Sequence, residues 1–352
     1  MKQPSLLRYL LVLGLVLLAV LPFILNNPYY ISILIFIGIN SMLALGLCMV
    51  LGYAGQISLG HSAFYGLGAY TSAILSTKLA LSPWLAMLVG AILTAIVAYI
   101  VGIPVFRLRG HYLAMATLAL GLIVYVFFVE LRPITGGPTG VIGIPPISIG
   151  SFVFDTDVRY YYLVWTAAII CLVLSLNIVR SRVGRALRAI RGSEGAASAL
   201  GVDITGYKLK VFTLTAVFAS IAGSLYAHYV SFISPSPFGF PLTIQLLTMV
   251  VIGGMASIPG SFLGAGIIVV LTEVLRTLVT TLIGKSASGE YEIIVFGIIL
   301  TATVILLPHG MASGIARVFS RTQRQNDDQG IGTNGLDAAL RLRSNALDKR
   351  QV

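Results

Sequence analysis

The sequence predicts an all-α integral membrane protein of about ten transmembrane helices with both termini cytoplasmic. Three observations carry that expectation. Hydrophobic residues make up 57% of the chain and charged residues only 10%, and mean hydropathy is +0.95; a soluble domain of this length carries far more charge. Uncharged apolar runs recur along the chain, and a run of about 20 residues can cross hydrocarbon as a helix. The cations are also sorted by side. With the N-terminus inside and ten crossings, all but five of the 23 Lys and Arg residues fall on the cytoplasmic side, the exceptions being Lys78, Arg132, Arg159, Arg276 and Lys285. The inverted topology breaks the positive-inside rule. The net charge of +11 therefore follows the lipid bilayer and is not a nucleic-acid signal.

The expected spans are 7–25, 29–51, 62–80, 84–106, 111–130, 160–179, 208–231, 242–257, 261–279 and 291–307. The first follows only Lys2 and Arg8 and has no small-residue cleavage site before the next span. It is expected to stay as an N-terminal helix within 1–28 rather than leave as a signal peptide. Span 62–80 is rich in Gly and Ser, and span 242–257 is short. Cys48 and Cys171 fall inside separate spans, so no disulfide framework or metal site is suggested. Residues 131–159 form an external segment punctuated by Pro and Gly (Thr135 to Gly140, then Gly143-Ile144-Pro145-Pro146), which predicts a compact turn-rich loop without helix. The tail 311–352 is polar and mixed in charge, and is expected to be mostly disordered.

The loop 181–210 is the most informative stretch. It carries Arg182, Arg185, Arg188, Arg191, Lys208 and Lys210 against Glu194 and Asp203. Arg185, Arg188 and Arg191, three apart, predict one basic helical face, which suits anionic headgroups on any cytoplasmic loop. Ser193–Leu200 argues differently. Glu194, Gly195, Ala196 and Ala197, closed by Gly201, predict a short helix of small, nearly uncharged residues ended by a glycine turn. Such a surface fits a protein groove and gains little from a lipid interface, so a docking helix for a cytoplasmic partner is expected.

The second informative stretch is Gly52–Tyr70, dense in glycine and in uncharged hydrogen-bonding groups. Non-helical backbone at membrane depth survives only where protein or a water-filled path covers it. Gln56, Ser58, His61 and Ser62 are candidates to line a path or gate. Close helix packing through small residues, with the polar groups bonded across helices, fits the same pattern. Glu273 and Arg276 share a helix face near an outer end, where local pairing and snorkelling account for them.

Catalytic constellations do not appear. There is no HExxH, no GxSxG and no paired Cys/His spacing. Gly284-Lys285-Ser286 lacks the leading glycine of a phosphate loop, because Val279 stands there. ATP hydrolysis, if it drives this protein, belongs to another polypeptide.

Three motifs in order then resemble one family. The run GYAGQISLGHSAFYGLGAY, the external TGG-PTG-VIGIPP and the loop GRALRAIR…AA-x-x-x-G…YKLKVF are similar to the branched-chain amino acid permeases of ABC importers, in particular the longer, M-type subunit. The resemblance runs from about Tyr29 to Pro308 and implies a permease domain over 29–310. It also implies a homologous second permease, two cytoplasmic ATPases carrying ATP and Mg, an extracytoplasmic solute-binding protein, and a place in the bacterial inner membrane. In such permeases the docking motif is Glu-Ala-Ala-x-x-x-Gly. Here Ala196, Ala197 and Gly201 match it, Gly195 holds the Glu position, and Glu194 lies one residue early. The same pattern also occurs in importers of urea and short amides, so the solute stays open between these classes. A stand-alone carrier needs an ionisable relay deep in the bilayer, and the spans offer none beyond Glu273 and Arg276.

Overall fold

The computed structural model describes residues 27–283 except Arg109 and Ser151, together with Leu21, Pro22 and Ile298. The first element, α1 (Pro28–Cys48), is started by Asn27, whose side chain accepts from Tyr29 N at 3.0 Å, and by Pro28 at its first position. It widens into a π-helical turn, Met49–Tyr53. After irregular backbone over 54–60, α2 (His61–Lys78) leads to α3 (Pro83–Val105) and α4 (His111–Glu130). An outer cap follows: a one-turn α5 (Arg132–Thr135), a 3-10 turn, and the two-residue strands β1 (Val141–Ile142), β2 (Ser148–Ile149) and β3 (Phe152–Val153). Then come α6 (Asp157–Arg180), α7 (Arg182–Gly192), α8 (Glu194–Ala199) and α9 (Ile204–Val230). The strand β4 (Phe232–Ile233), a second 3-10 turn, α10 (Phe240–Gly253) and α11 (Ile258–Ile283) complete the described chain.

Among the described residues, six helices are long and apolar enough to cross a membrane. Two of them form the centre. Of the apolar windows of α1 and α9, 72% and 67% are buried, against 33% for α3, α4, α6 and α11. The outer helices turn large apolar residues away from the bundle, among them Leu85, Leu88 and Ile92 on α3 and Ile123 and Phe127 on α4. Faces of that kind belong against lipid tails. The shorter or more polar α2 and α10 are enclosed instead. Their buried residues include Ser62, Ser72 and Ser76 on α2 and Thr243 and Thr248 on α10.

Without a hydrophobic force between helices in lipid, close approach has to come from small residues. The crossing of α2 and α9 shows this. A Cβ on Gly68 would strike the Ser220 carbonyl, and one on Gly223 would strike the Tyr65 carbonyl. The contact is fastened by Ser224 Oγ, which donates to Gly68 O at 3.2 Å.

Eight of the ten expected spans fall within the described residues, and each is a helix. Spans 7–25 and 291–307 and the tail 311–352 lie outside them, apart from Leu21, Pro22 and Ile298. The outer loop is compact and turn-rich, but its expected freedom from helix fails at α5. There Thr135 Oγ1 donates to Phe128 O and Leu131 O, both at 2.9 Å. Those bonds wind one extra turn onto the end of α4, and Gly136, with φ +77°, ends it.

Candidate functional site: the inner end of the bundle

The turn from α6 into α7 is set by Ser181, whose Oγ accepts from Val183 N at 3.1 Å. Helix α7 buries Gly184, Leu187 and Ile190 against the bundle, an apolar stripe at helical spacing. Arg185, Arg188 and Arg191 run along the neighbouring face, as their spacing predicts. Two of the three turn back onto the chain. Arg188 Nη1 donates to Val179 O at 3.0 Å, capping the last turn of α6 where carbonyls lack intrahelical partners. Arg191 Nη1 donates to Gly52 O in the π-helical turn.

Helix α8 is a built element. Ser193 Oγ accepts from Ala196 N at 3.3 Å. The helix ends at Gly201, which sits in the left-handed region at φ +78°. Gly201 N reaches Ser198 O at 2.9 Å and Val202 N reaches Ala197 O at 3.0 Å, a closure that favours glycine. Asp203 Oδ1 then accepts from Gly206 N at 3.0 Å and starts α9. Caps on both sides hold a six-residue helix that could not persist alone.

The motif residues divide by helical phase. Ala197 is buried at 2% exposure, whereas Gly195, Ala196, Ser198 and Ala199 face outward and Leu200 stands 83% exposed at the turn. Glu194 accepts from Lys208 Nζ at 2.6 Å, and that lysine on α9 is only 3% exposed. The displaced acidic residue of the motif is therefore already held by its own chain.

The Gly-rich segment lies beside this loop. Gly52 packs so closely on Met255 that a Cβ there would collide with the Met255 carbonyl. Tyr53 Oη donates to Ala256 O at 2.8 Å. The π-helical turn of α1 is thus pinned to the 254–257 turn between α10 and α11. Gln56, Ser58, His61 and Ser62 are all buried. Gln56 Nε2 donates locally to Ala54 O at 3.0 Å. Ser62 Oγ meets Thr243 Oγ1 at 3.0 Å, and Leu59 N donates to Thr117 Oγ1 at 3.0 Å, so this backbone is bonded across to α10 and α4. Ser58 Oγ and both ring nitrogens of His61 are buried and find no hydrogen-bond partner among the described residues. Among the described residues there is no cluster of three or more His, Cys, Asp or Glu that could hold a metal.

Two functional-looking contacts escaped the sequence. His228 bridges Ser72 Oγ (2.8 Å) and Pro145 O (2.7 Å). A carbonyl only accepts, so Nδ1 carries the proton and Nε2 accepts from the serine. A lone histidine gives no signal of that kind; the Gly-Ile-Pro-Pro turn it holds was visible. Glu273, expected to pair locally with Arg276, accepts from Tyr29 Oη at 2.6 Å and so joins α11 to α1.

Comparison with known proteins places the chain. The family model described as "Branched-chain amino acid transport system / permease component" matches residues 29–304. The LivM permease protein of Salmonella typhimurium is 33% identical over 77% of this chain and 67% of its own length, and LivM of Escherichia coli K12 matches to the same degree. The LivH permease protein of Salmonella typhimurium is 26% identical over 77% of this chain and 90% of its own length. Like stretches that fill less of LivM than of LivH mark LivM as the longer of the two, and the likeness to it is the stronger. This chain belongs to the branched-chain amino acid transport permease family, as a multi-pass membrane subunit of the longer type.

Proposed function

We propose that this chain is the transmembrane permease subunit of an ATP-driven importer for branched-chain amino acids. It forms the translocation path with a homologous second permease and is driven by two cytoplasmic ATPases that hold ATP and Mg. An extracytoplasmic binding protein delivers solute at the outer cap. Both termini face the cytoplasm of a bacterial inner membrane. The chain itself is not an enzyme.

The observation that carries this reading is α8: a short helix, capped at both ends, with an uncharged outer face and an exposed Leu200. A channel or carrier needs no such handle on its cytoplasmic side, whereas a permease moved by a motor does. ATP supplies the differential binding to two conformations that solute alone cannot supply. Gln56, Ser58, His61 and Ser62 line the gate. Ser58 and His61 bring buried hydrogen-bonding groups there that water or solute can meet as a path opens.

The test is uptake by the complete importer reconstituted in vesicles. Leucine accumulation that requires internal ATP and the binding protein is the expected result. Accumulation of urea or acetamide but not leucine moves the assignment to the amide importers, which a path of uncharged helices fits as well. Uptake that continues without ATP removes the importer reading.

A further inference from the structure

We infer that Lys208 and Arg191 are positioning residues that fasten the docking helix to the two central spans, so that its displacement moves both. The inference rests on the importer reading above, and it deepens it by naming the linkage through which the motor would act.

The geometry is a two-point attachment. Lys208 lies on α9, buried to 3% exposure, and its ammonium meets the Glu194 carboxylate at 2.6 Å across the start of α8. Arg191 lies at the end of α7 and donates to Gly52 O in the widened last turn of α1. Of the six long apolar helices among the described residues, α1 and α9 are the most buried. Each of them therefore receives a polar link from the loop.

Both links suit the transmission of a pull. A buried lysine must keep its counter-charge, so α9 and Glu194 move together or pay for separation. The acceptor at Gly52 belongs to a π-helical turn, where the regular backbone ladder is interrupted and a carbonyl is open to an outside donor. Gly52 and Tyr53 are in turn pinned to the 254–257 turn by backbone contact and by the Tyr53–Ala256 bond. A shift at α7–α8 thus reaches α1, α10 and α11 through Arg191, and α9 through Glu194.

This separates two jobs that the docking motif is expected to combine. The outward residues around Leu200 meet the motor. Glu194, one residue before the position the motif gives to its acidic residue, aims the helix from within.

The experiment uses the full importer with Glu194→Gln, Lys208→Met, Arg191→Ala, Arg191→Lys and the exchanged pair Glu194→Lys with Lys208→Glu. Three readouts are taken: ATPase retained on purification, solute moved per ATP hydrolysed, and amide hydrogen exchange of 194–200 in the purified chain. The single neutral variants are expected to keep the ATPases bound while solute moved per ATP falls about 3- to 30-fold. The exchanged pair and Arg191→Lys should recover most of that loss. Exchange of the α8 amides should rise in Glu194→Gln and return in the exchanged pair. Loss of the ATPases from Glu194→Gln alone would make Glu194 a motor contact and overturn the inference while leaving the importer reading intact. Unchanged transport per ATP overturns it too. If the native chain carries no ATPase, the importer reading fails, and the hydrogen-exchange result still decides whether Glu194 and Lys208 hold α8.

Discussion

The two ends of this bundle are held in different ways. The outer cap is stitched to the helices at many points. His228 bonds Pro145 O and Ser72. Trp84 Nε1 donates to Ser148 O at 2.9 Å, Lys78 Nζ donates to Pro133 O and Ile134 O, and β1 pairs with β4. The inner loop is built from two short helices that own their caps and touch the spans through an apolar stripe, Arg188, Arg191 and the Glu194–Lys208 pair. The cap shares its bonds with α2, α3 and α9 and is expected to move with them. The inner loop keeps its own shape and can be pushed as a unit. An element that passes on a force needs internal order more than many anchors.

Substitutions can break or sharpen this contrast. The largest effect is expected at Gly52→Ala, where the added methyl meets the Met255 carbonyl. It should cost more than about 3 kcal/mol, seen as a drop in thermal stability in detergent, with hydrogen exchange rising at 48–58 and 254–257 while the outer cap stays protected. Leu200→Asp comes next. Because this residue is 83% exposed, folding should be untouched, while ATPase retention falls by roughly 30-fold, the scale of a lost interface anchor. His228→Ala tests the other end. It strands Pro145 O and Ser72, and a loss of about 2 kcal/mol should appear as faster exchange over 141–149 with the inner loop unchanged. The smallest effect belongs to Gly201→Ala, about 1 kcal/mol for a side chain at positive φ, read as local fraying of α8.

A charge at Ala197 is a poorer probe of docking than the motif alone suggests. At 2% exposure, Ala197→Glu displaces the helix before it can repel a partner. Ala196→Glu, on the outward side, tests contact.

The spans were legible because lipid demands long uncharged runs, and the described helices match them closely in position. The docking loop was legible for a related reason: caps and the closing glycine are local signals written within a few residues. What local pattern could not show was which residue faces which way. Ala196 and Ala197 read alike until the helix has a phase, which the fold shows by burying Ala197 and pairing Glu194 with Lys208 of α9. The links of greatest mechanical interest join residues far apart in sequence. Arg191 reaches Gly52 across 139 positions, His228 reaches Ser72 across 156, and Tyr29 reaches Glu273 across 244. The Gly-rich stretch declared an interruption of helix. Only the fold revealed that Ser62 finds Thr243 while Ser58 and His61 find no partner among the described residues.

The most direct test of the central claim is gentle extraction of the native chain from its own membrane, with quantitative mass spectrometry of what accompanies it. The expected result is a second, homologous permease and two cytoplasmic ATPases accompanying this chain, with ATPase alone depleted in Leu200→Asp. A chain that emerges by itself, or only with further copies of itself, contradicts it.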